Sequence, residues 1–206
     1  MRLLKMAHSG PGEMISVNLK MTCSEKPLKH PGDFQGLTFR VMMNSQLLKR
    51  QFERFGARPE EIPFSDLYRI LETRAVHGQE NTISNICSKN LHKVQTHLTI
   101  SNHGYLGYMV LTNASFWAGL PEDIRVVLEE IMAEVTAYER ELAAQMNREG
   151  LEQITASGTV EIHWLTSEEK MEWVSAWKPL YGEFRNIIGE DILNALEELK
   201  GEDGLR

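Results

Sequence analysis

Between residues 38 and 111 the apolar pattern changes period again and again, and few architectures accept such a chain. Residues 38–42 suit a short strand, and a helix over residues 46–55 follows, capped by Asn44 or Ser45 and closed by Gly56 in the left-handed conformation. Ser65 N-caps a second helix that runs to about residue 73, with Asp66 beside its positive end and Leu67, Ile70 and Leu71 facing inward. A third helix over residues 82–89 leads to Val94, Thr96, Leu98 and Ile100, which alternate as in a strand, and residues 105–111 form another. Helices interleaved with strands require an α/β sheet domain. Upstream, residues 13–23 alternate as one strand before a turn at residues 27–32.

A long helix starts after Pro121, with Glu122 and Asp123 at its positive end and Gly150 as its stop. Ile124, Val127, Leu128, Ile131, Val135, Tyr138, Leu142 and Met146 make one apolar stripe, expected to lie on a core or on a partner. Residues 159–164 form a strand, two or three short helices fill residues 167–200, and the tail GEDGLR is polar.

Function classes narrow by exclusion. At 206 residues, 42% hydrophobic and 25% charged, the chain can bury the core of one large or two small domains. A formal net charge of -7 without a basic run argues against nucleic acid as a partner. No apolar run is long enough to span a bilayer, and MRLLKMAHSG lacks the apolar run and cleavage site of a secretory signal. Cys23 and Cys87 are expected to be buried small apolar residues. Cys87, His92, His97 and His103 are metal-ligand types, but their spacing matches no paired-ligand pattern, so no metal or cofactor is expected. His77, before Gly78, reads as a solvated turn residue. There is no GxSxG elbow, HExxH helix or phosphate loop, and adjacent acids such as Glu60 and Glu61 read as solvated surface. Asn113-Ala114-Ser115 formally matches a glycosylation acceptor.

Arg40 is different. Set among apolar neighbours in LTFRV, its head must meet water, an acid of the chain itself or an external anion, because an unpaired buried charge is costly. Its planar fork fits a carboxylate through two parallel bonds. Downstream, FSDLYRILETRAVHGQEN adds an aromatic at a loop-to-helix junction, Phe64, and an amide at a turn, Asn81. None of the three is a nucleophile, and together they favour binding over chemistry.

DFQGLTFRV (33–41), FGARPEEIPFSDLYRILETRAVHGQEN (55–81), NLHKVQTHLTISNH (90–103) and LPEDIRVVLEEI (120–131) resemble, in order and spacing, the solute-binding proteins of tripartite ATP-independent periplasmic (TRAP) transporters, of the dicarboxylate and sialic-acid receptor type. The resemblance covers about three quarters of the chain. It implies a non-enzymatic receptor with no cofactor, which binds a small organic acid in the periplasm and hands it to membrane permease subunits. In residues, it implies that Arg40 makes a bidentate salt bridge to the ligand carboxylate, that Phe64 packs beside the ligand and that Asn81 bonds it. Asn44 is nearest to a further polar ligand residue, although one extra residue precedes Gly56. Lys20 stands where some members carry a second arginine, and His77 where an acid is usual. The implied fold is α/β, of the type II periplasmic-binding-protein kind: residues 21–104 and 151–200 mainly a second lobe, residues 1–20 and 105–150 hinge and remnant of a first. A signal and a complete first lobe would stand before the region of Glu13. The 206-residue chain alone is then expected to bind small organic acids weakly or not at all, to expose part of the stripe from Ile124 to Met146 and to self-associate, whereas the full-length protein is monomeric. The rival reading is a cytoplasmic ligand sensor or enzyme built on the same lobe.

Overall fold

The computed structural model describes residues 16–108 and 110–195. Its centre is a six-stranded sheet in the order β4 (Arg58–Glu61), β3 (Thr38–Val41), β5 (Gly78–Asn81), β2 (Lys20–Cys23), β6 (His97–Ile100) and β8 (Glu161–Trp164). Only β2 runs against the others. A second, two-stranded sheet pairs β1 (Ser16–Asn18) with β7 (Tyr105–Gly107).

The single strand expected over residues 13–23 is therefore two within the described residues, β1 and β2, broken at Leu19. Its N–H leaves the ladder to bond the Gly104 carbonyl at 2.9 Å. The neighbouring strand breaks at the same level, between Ile100 and Tyr105, so two crossings carry the chain side by side from one sheet to the other. β7 ends at Gly107 rather than at residue 111.

Helix α1 (Gln46–Arg54) begins as expected: the Ser45 hydroxyl accepts the Leu48 N–H and Gly56 takes φ +79° beyond its end. Helix α2 (Leu67–Glu72) corrects the sequence reading. A 3-10 turn over Phe64–Asp66 intervenes, closed by Asp66 N–H on the Pro63 carbonyl, and Ser65 spends its hydroxyl on Asp66 instead of capping. Helix α3 (Ile83–Ser88) is capped by Thr82.

Two elements escape pattern reading because their residues are poor strand or helix advertisements. β4 reads RPEE, yet as an edge strand it tolerates Pro59, which has no N–H to offer. A short helix, α4 (Ala114–Gly119), uses Asn113 as its cap, so the first residue of the Asn-Ala-Ser triplet has its oxygen on the Phe116 N–H. Gly78 opens β5, expected as a turn and found as a fully buried central strand. A Cβ there would lie 2.4 Å from the Thr22 carbonyl oxygen, so close strand pairing demands glycine.

Helix α5 (Glu122–Ser157) does not stop at Gly150 but seven residues later, before Gly158 at φ +62°. Gly150 is buried instead against α3, where a Cβ would stand 3.2 Å from Ile83 Cγ2 and 3.3 Å from Cys87 Cβ. Among the described residues only this last part of α5 lies on the core, through Gly150, Leu151 and Ile154. Ile124, Val127, Ile131, Val135, Tyr138 and Met146 are each at least 45% exposed, so most of the stripe covers no core among the described residues.

Each face of the sheet carries its own core. One gathers Met21, Cys23, Phe34, Phe39, Phe52 and Phe55 with Trp173 of α6 (Ser167–Trp177), and Trp173 and Trp177 donate their indole N–H groups to the Lys29 and Gln51 carbonyls. The other packs Leu67, Leu71, Ile83, Ile86, Leu98 and Ile154. Cys23 is buried as expected. Cys87 is only partly so, because its thiol faces Gln153 Oε1 at 3.2 Å. Short helices α7 (Leu180–Glu183) and α8 (Arg185–Ile188) follow α6.

Candidate functional site

Five strands of the large sheet end on one edge, at Val41, Glu61, Asn81, Ile100 and Trp164, and β2 begins there at Lys20. The carboxyl edge of such a sheet is where open α/β proteins bind ligands. Cross-strand register sets Arg40 opposite Gln79, Gln79 opposite Thr22 and Asn81 opposite Lys20. Side chains alternate along a strand, so Arg40, Gln79, Asn81, Thr22 and Lys20 share one face.

Arg40 is 5% exposed, and its Nε donates to the Ile62 carbonyl at 3.0 Å. Among the described residues no acid forms an ion pair with it; the buried Glu80 is engaged by His103 Nε2 at 3.1 Å. Burial holds the guanidinium below its ordinary pKa, and the charge of Glu80 pushes the other way. Of the partners open to this arginine, an acid of the chain itself is thus not found within the described part. The Nε bond orients the planar fork.

Asn81, also 5% exposed, has its Oδ1 held by the Thr82 N–H at 3.1 Å and by Asn85 Nδ2 at 2.7 Å. Its Nδ2 donates to Gln79 Oε1 at 3.3 Å. Phe64 sits two residues past Ile62, partly buried on the second core, with Lys89 Nζ 5.3 Å from its ring centre. Lys20, half-buried, donates from Nζ to the Asn18 carbonyl at 2.8 Å, and burial lowers its pKa. Asn44 is exposed in the turn after β3 at φ +60°, its backbone N–H 3.4 Å from Glu61 Oε2. The structure thus unites Arg40, Asn81 and Lys20 on one face and sets Phe64 beside the loop that holds Arg40. Asn44 stands out on the rim.

Several polar residues around the sheet, at both of its edges, are given no binding role by the sequence. His77 is not a solvated loop residue: its Nδ1 accepts the Thr38 N–H at 2.8 Å, which ties the loop before β5 to the start of β3. Glu80, His103 and Ser101 form a buried line beneath the crossings, with Ser101 Oγ 2.7 Å from His103 Nδ1 and 3.5 Å from the Leu19 carbonyl. The histidine ring lies against Trp173 and Trp177. His92 faces the Ile86 carbonyl and His97 faces Thr96 and Glu161, so the histidines close in sequence serve separate partners. A cavity of about 150 Å³ lies beside Asn85, between the start of α3, Leu106 and Met146 of α5.

Residues 17–186 match the sequence profile of bacterial extracellular solute-binding protein family 7. The chain belongs to that family. It is 39% identical over 181 residues to the C4-dicarboxylate-binding protein DctB of Bacillus subtilis, covering 88% of this chain and 51% of that protein. It is 42% identical over 177 residues to the C4-dicarboxylate-binding periplasmic protein DctP of Shewanella loihica, covering 86% and 52% respectively. Among solved structures, a TRAP periplasmic solute-binding protein of Shewanella oneidensis with bound succinate superposes with a TM-score of 0.81 at 39% identity, over 89% of this chain and 60% of that one. The chain therefore spans about half the length of the curated family members it matches. Its mixed sheet with flanking helices is the type II periplasmic-binding-protein architecture, as the sequence resemblance implied.

Proposed function

We propose that this chain is the ligand-anchoring part of a TRAP-type receptor for a small dicarboxylate of the succinate class. The observation that carries the reading is a buried arginine, fixed through Nε, that meets no acid of its own among the described residues and stands one strand from a donor amide. A carboxylate supplies what that pair lacks, because two parallel charge-assisted bonds satisfy the fork and further donors lower the cost of removing the anion from water. The C4-dicarboxylate and succinate that its relatives bind are consistent with that chemistry. Phe64 would then shield one side of the ligand, and Lys20 would add positive charge at the edge. Asn44, out on the rim, would touch only the mouth.

On this reading residues 21–104 and 151–195 form one wall of a two-lobed cleft, and the crossings at Leu19 and Ser101 to Gly104 are the hinge. The exposed stripe of α5 faces the other lobe. The work is binding without bond chemistry, in the periplasm, by a monomeric full-length receptor that presents its cargo to membrane permease subunits. The test is a titration of the ¹⁵N-labelled chain with millimolar succinate, followed at Arg40 Nε–H and the Asn81 side-chain amide. Both signals should move, and Arg40→Lys should weaken binding at least ~10-fold because an ammonium cannot form two parallel bonds. Unchanged affinity in that variant would remove Arg40 as the anchor.

A further inference from the structure

A single directional line of hydrogen bonds runs from the proposed site into the protein. Asn81 Nδ2 donates to Gln79 Oε1 at 3.3 Å, Gln79 Nε2 to Thr22 Oγ1 at 3.0 Å, Thr22 Oγ1 to Gln95 Oε1 at 3.0 Å, and Gln95 Nε2 to the Val94 carbonyl at 3.1 Å. The four side chains lie on β5, on β2 and in the loop before β6, and none is more than 5% exposed. A buried polar chain has few ways to be satisfied, so each member constrains the next.

Backbone groups set its direction at both ends. The Thr82 N–H can only donate, and it points at Asn81 Oδ1; the Val94 carbonyl can only accept, and it receives Gln95. Turning the Asn81 amide over would put donor against donor at Thr82 and Asn85, and acceptor against acceptor at Gln79. An amide nitrogen carries a second hydrogen, and that hydrogen is what Asn81 offers beyond the line. The same line passes Gln79, the register partner of Arg40.

We propose that Thr22, Gln79 and Gln95 are positioning residues that lock Asn81 as a donor, so that the site accepts a ligand oxygen that only receives hydrogen bonds, as a carboxylate does. The inference rests on the carboxylate-receptor reading, and the experiment separates the two. Side-chain amide spectra of the ¹⁵N-labelled chain are recorded with inorganic-salt control and with sodium succinate. In the unaltered chain one of the two Asn81 Nδ2 protons should shift with succinate while its twin, held on Gln79, stays. Thr22→Val breaks the line at a volume-matched position. It should abolish that asymmetry and weaken succinate binding at least ~3-fold, and Thr22→Ser, which keeps the hydroxyl, should restore both. General loosening would move resonances across the sheet and would not single out one proton of a pair. If Thr22→Val does not fold, Gln95→Met cuts the line at its far end and is read the same way. Succinate shifts at Arg40 and Asn81 that keep their one-proton asymmetry and affinity in the variant would overturn the positioning role alone. Absence of any succinate shift in the unaltered chain would overturn the receptor reading and this inference with it.

Discussion

Phe39 and Arg40 are neighbours in β3, yet they face opposite sides of the sheet and are held by unrelated forces. Phe39 is wholly buried among aromatic rings, 4.5 Å between centroids from Phe52 and 5.5 Å from Phe34. Arg40 has one backbone carbonyl and the distant charge of Glu80. The first face is specified by volume, because dispersion and burial depend on how closely the rings fit. The second is specified by the direction of donors and acceptors, and on the proposed reading its buried positive charge gains a full partner only when an anion arrives. One β-strand thus carries a residue that serves the fold beside a residue that, on the proposed reading, costs the fold something for the sake of binding.

The largest test of that contrast is Phe39→Ala, which should lower stability by about 3–5 kcal/mol in urea unfolding, since the rings around it cannot all collapse into the space. A loss under about 1 kcal/mol would mean that the aromatic face is loosely packed and that the comparison fails. Next is Gly78→Ala, where a methyl group would press on the Thr22 carbonyl oxygen, a backbone atom that cannot step aside without parting β2 from β5. A cost of about 1–3 kcal/mol is expected, as for overpacking generally. It should come with weakened succinate shifts, because Gln79 and Asn81 follow in the same strand. Third, Arg40→Met should change stability by no more than about 1 kcal/mol, since removing an unpaired buried charge offsets the lost bond to Ile62, while succinate binding disappears. A loss of 3–5 kcal/mol would instead mark a broken buried ion pair and would give Arg40 an acid partner within the chain.

Residues with strong local preferences are legible in the sequence itself. Ser45 and Gly56 bracket α1 as their chemistry demands, and the alternation around Leu98 and Ile100 belongs to a strand. Arg40 stands out because a charge among apolar neighbours has few fates. What stays hidden depends on contacts far away in sequence. Gly150 has the look of a helix stop, and only the approach of Ile83 and Cys87 explains why it lies inside one. GQEN has turn-like composition, and becomes a central strand because Gly78 admits β2 closely and because Thr22 and Asn81 satisfy the Gln79 amide. His103 has the look of a stray metal-ligand type, but Glu80 and Ser101 take its two nitrogens. Asn81 emerges from the family resemblance, but the line that orients it spans three segments and has no local signature.

The smallest expected effects lie on α6, where two acid–histidine contacts one turn apart oppose each other in their dependence on pH. Burial by itself would raise the Glu169 pKa. Bonds from the Thr166 N–H at 2.8 Å and from His163 at 2.9 Å outweigh it and bring the carboxyl below its ordinary value. A depressed folded pKa contributes stability above the unfolded value near 4.5, and that contribution is lost as pH falls through the folded value. His30 runs the other way. Its bond to Glu172 at 2.8 Å raises its pKa above 6.5, so its contribution is complete below 6.5 and is lost as pH rises through the raised value. Glu169→Gln should therefore lower the melting temperature at pH 7 and have progressively less effect as pH falls below 4, for a loss of about 1 kcal/mol or less. His30→Gln should matter at pH 5.5 and fade by pH 8.5, with a still smaller amplitude because the pair is exposed and screened by salt. Thermal melts of both variants from pH 3 to 9 would show opposite slopes. Parallel slopes would mean that the two contacts are not separately formed, and that α6 is held to the sheet by Trp173 and Trp177 alone.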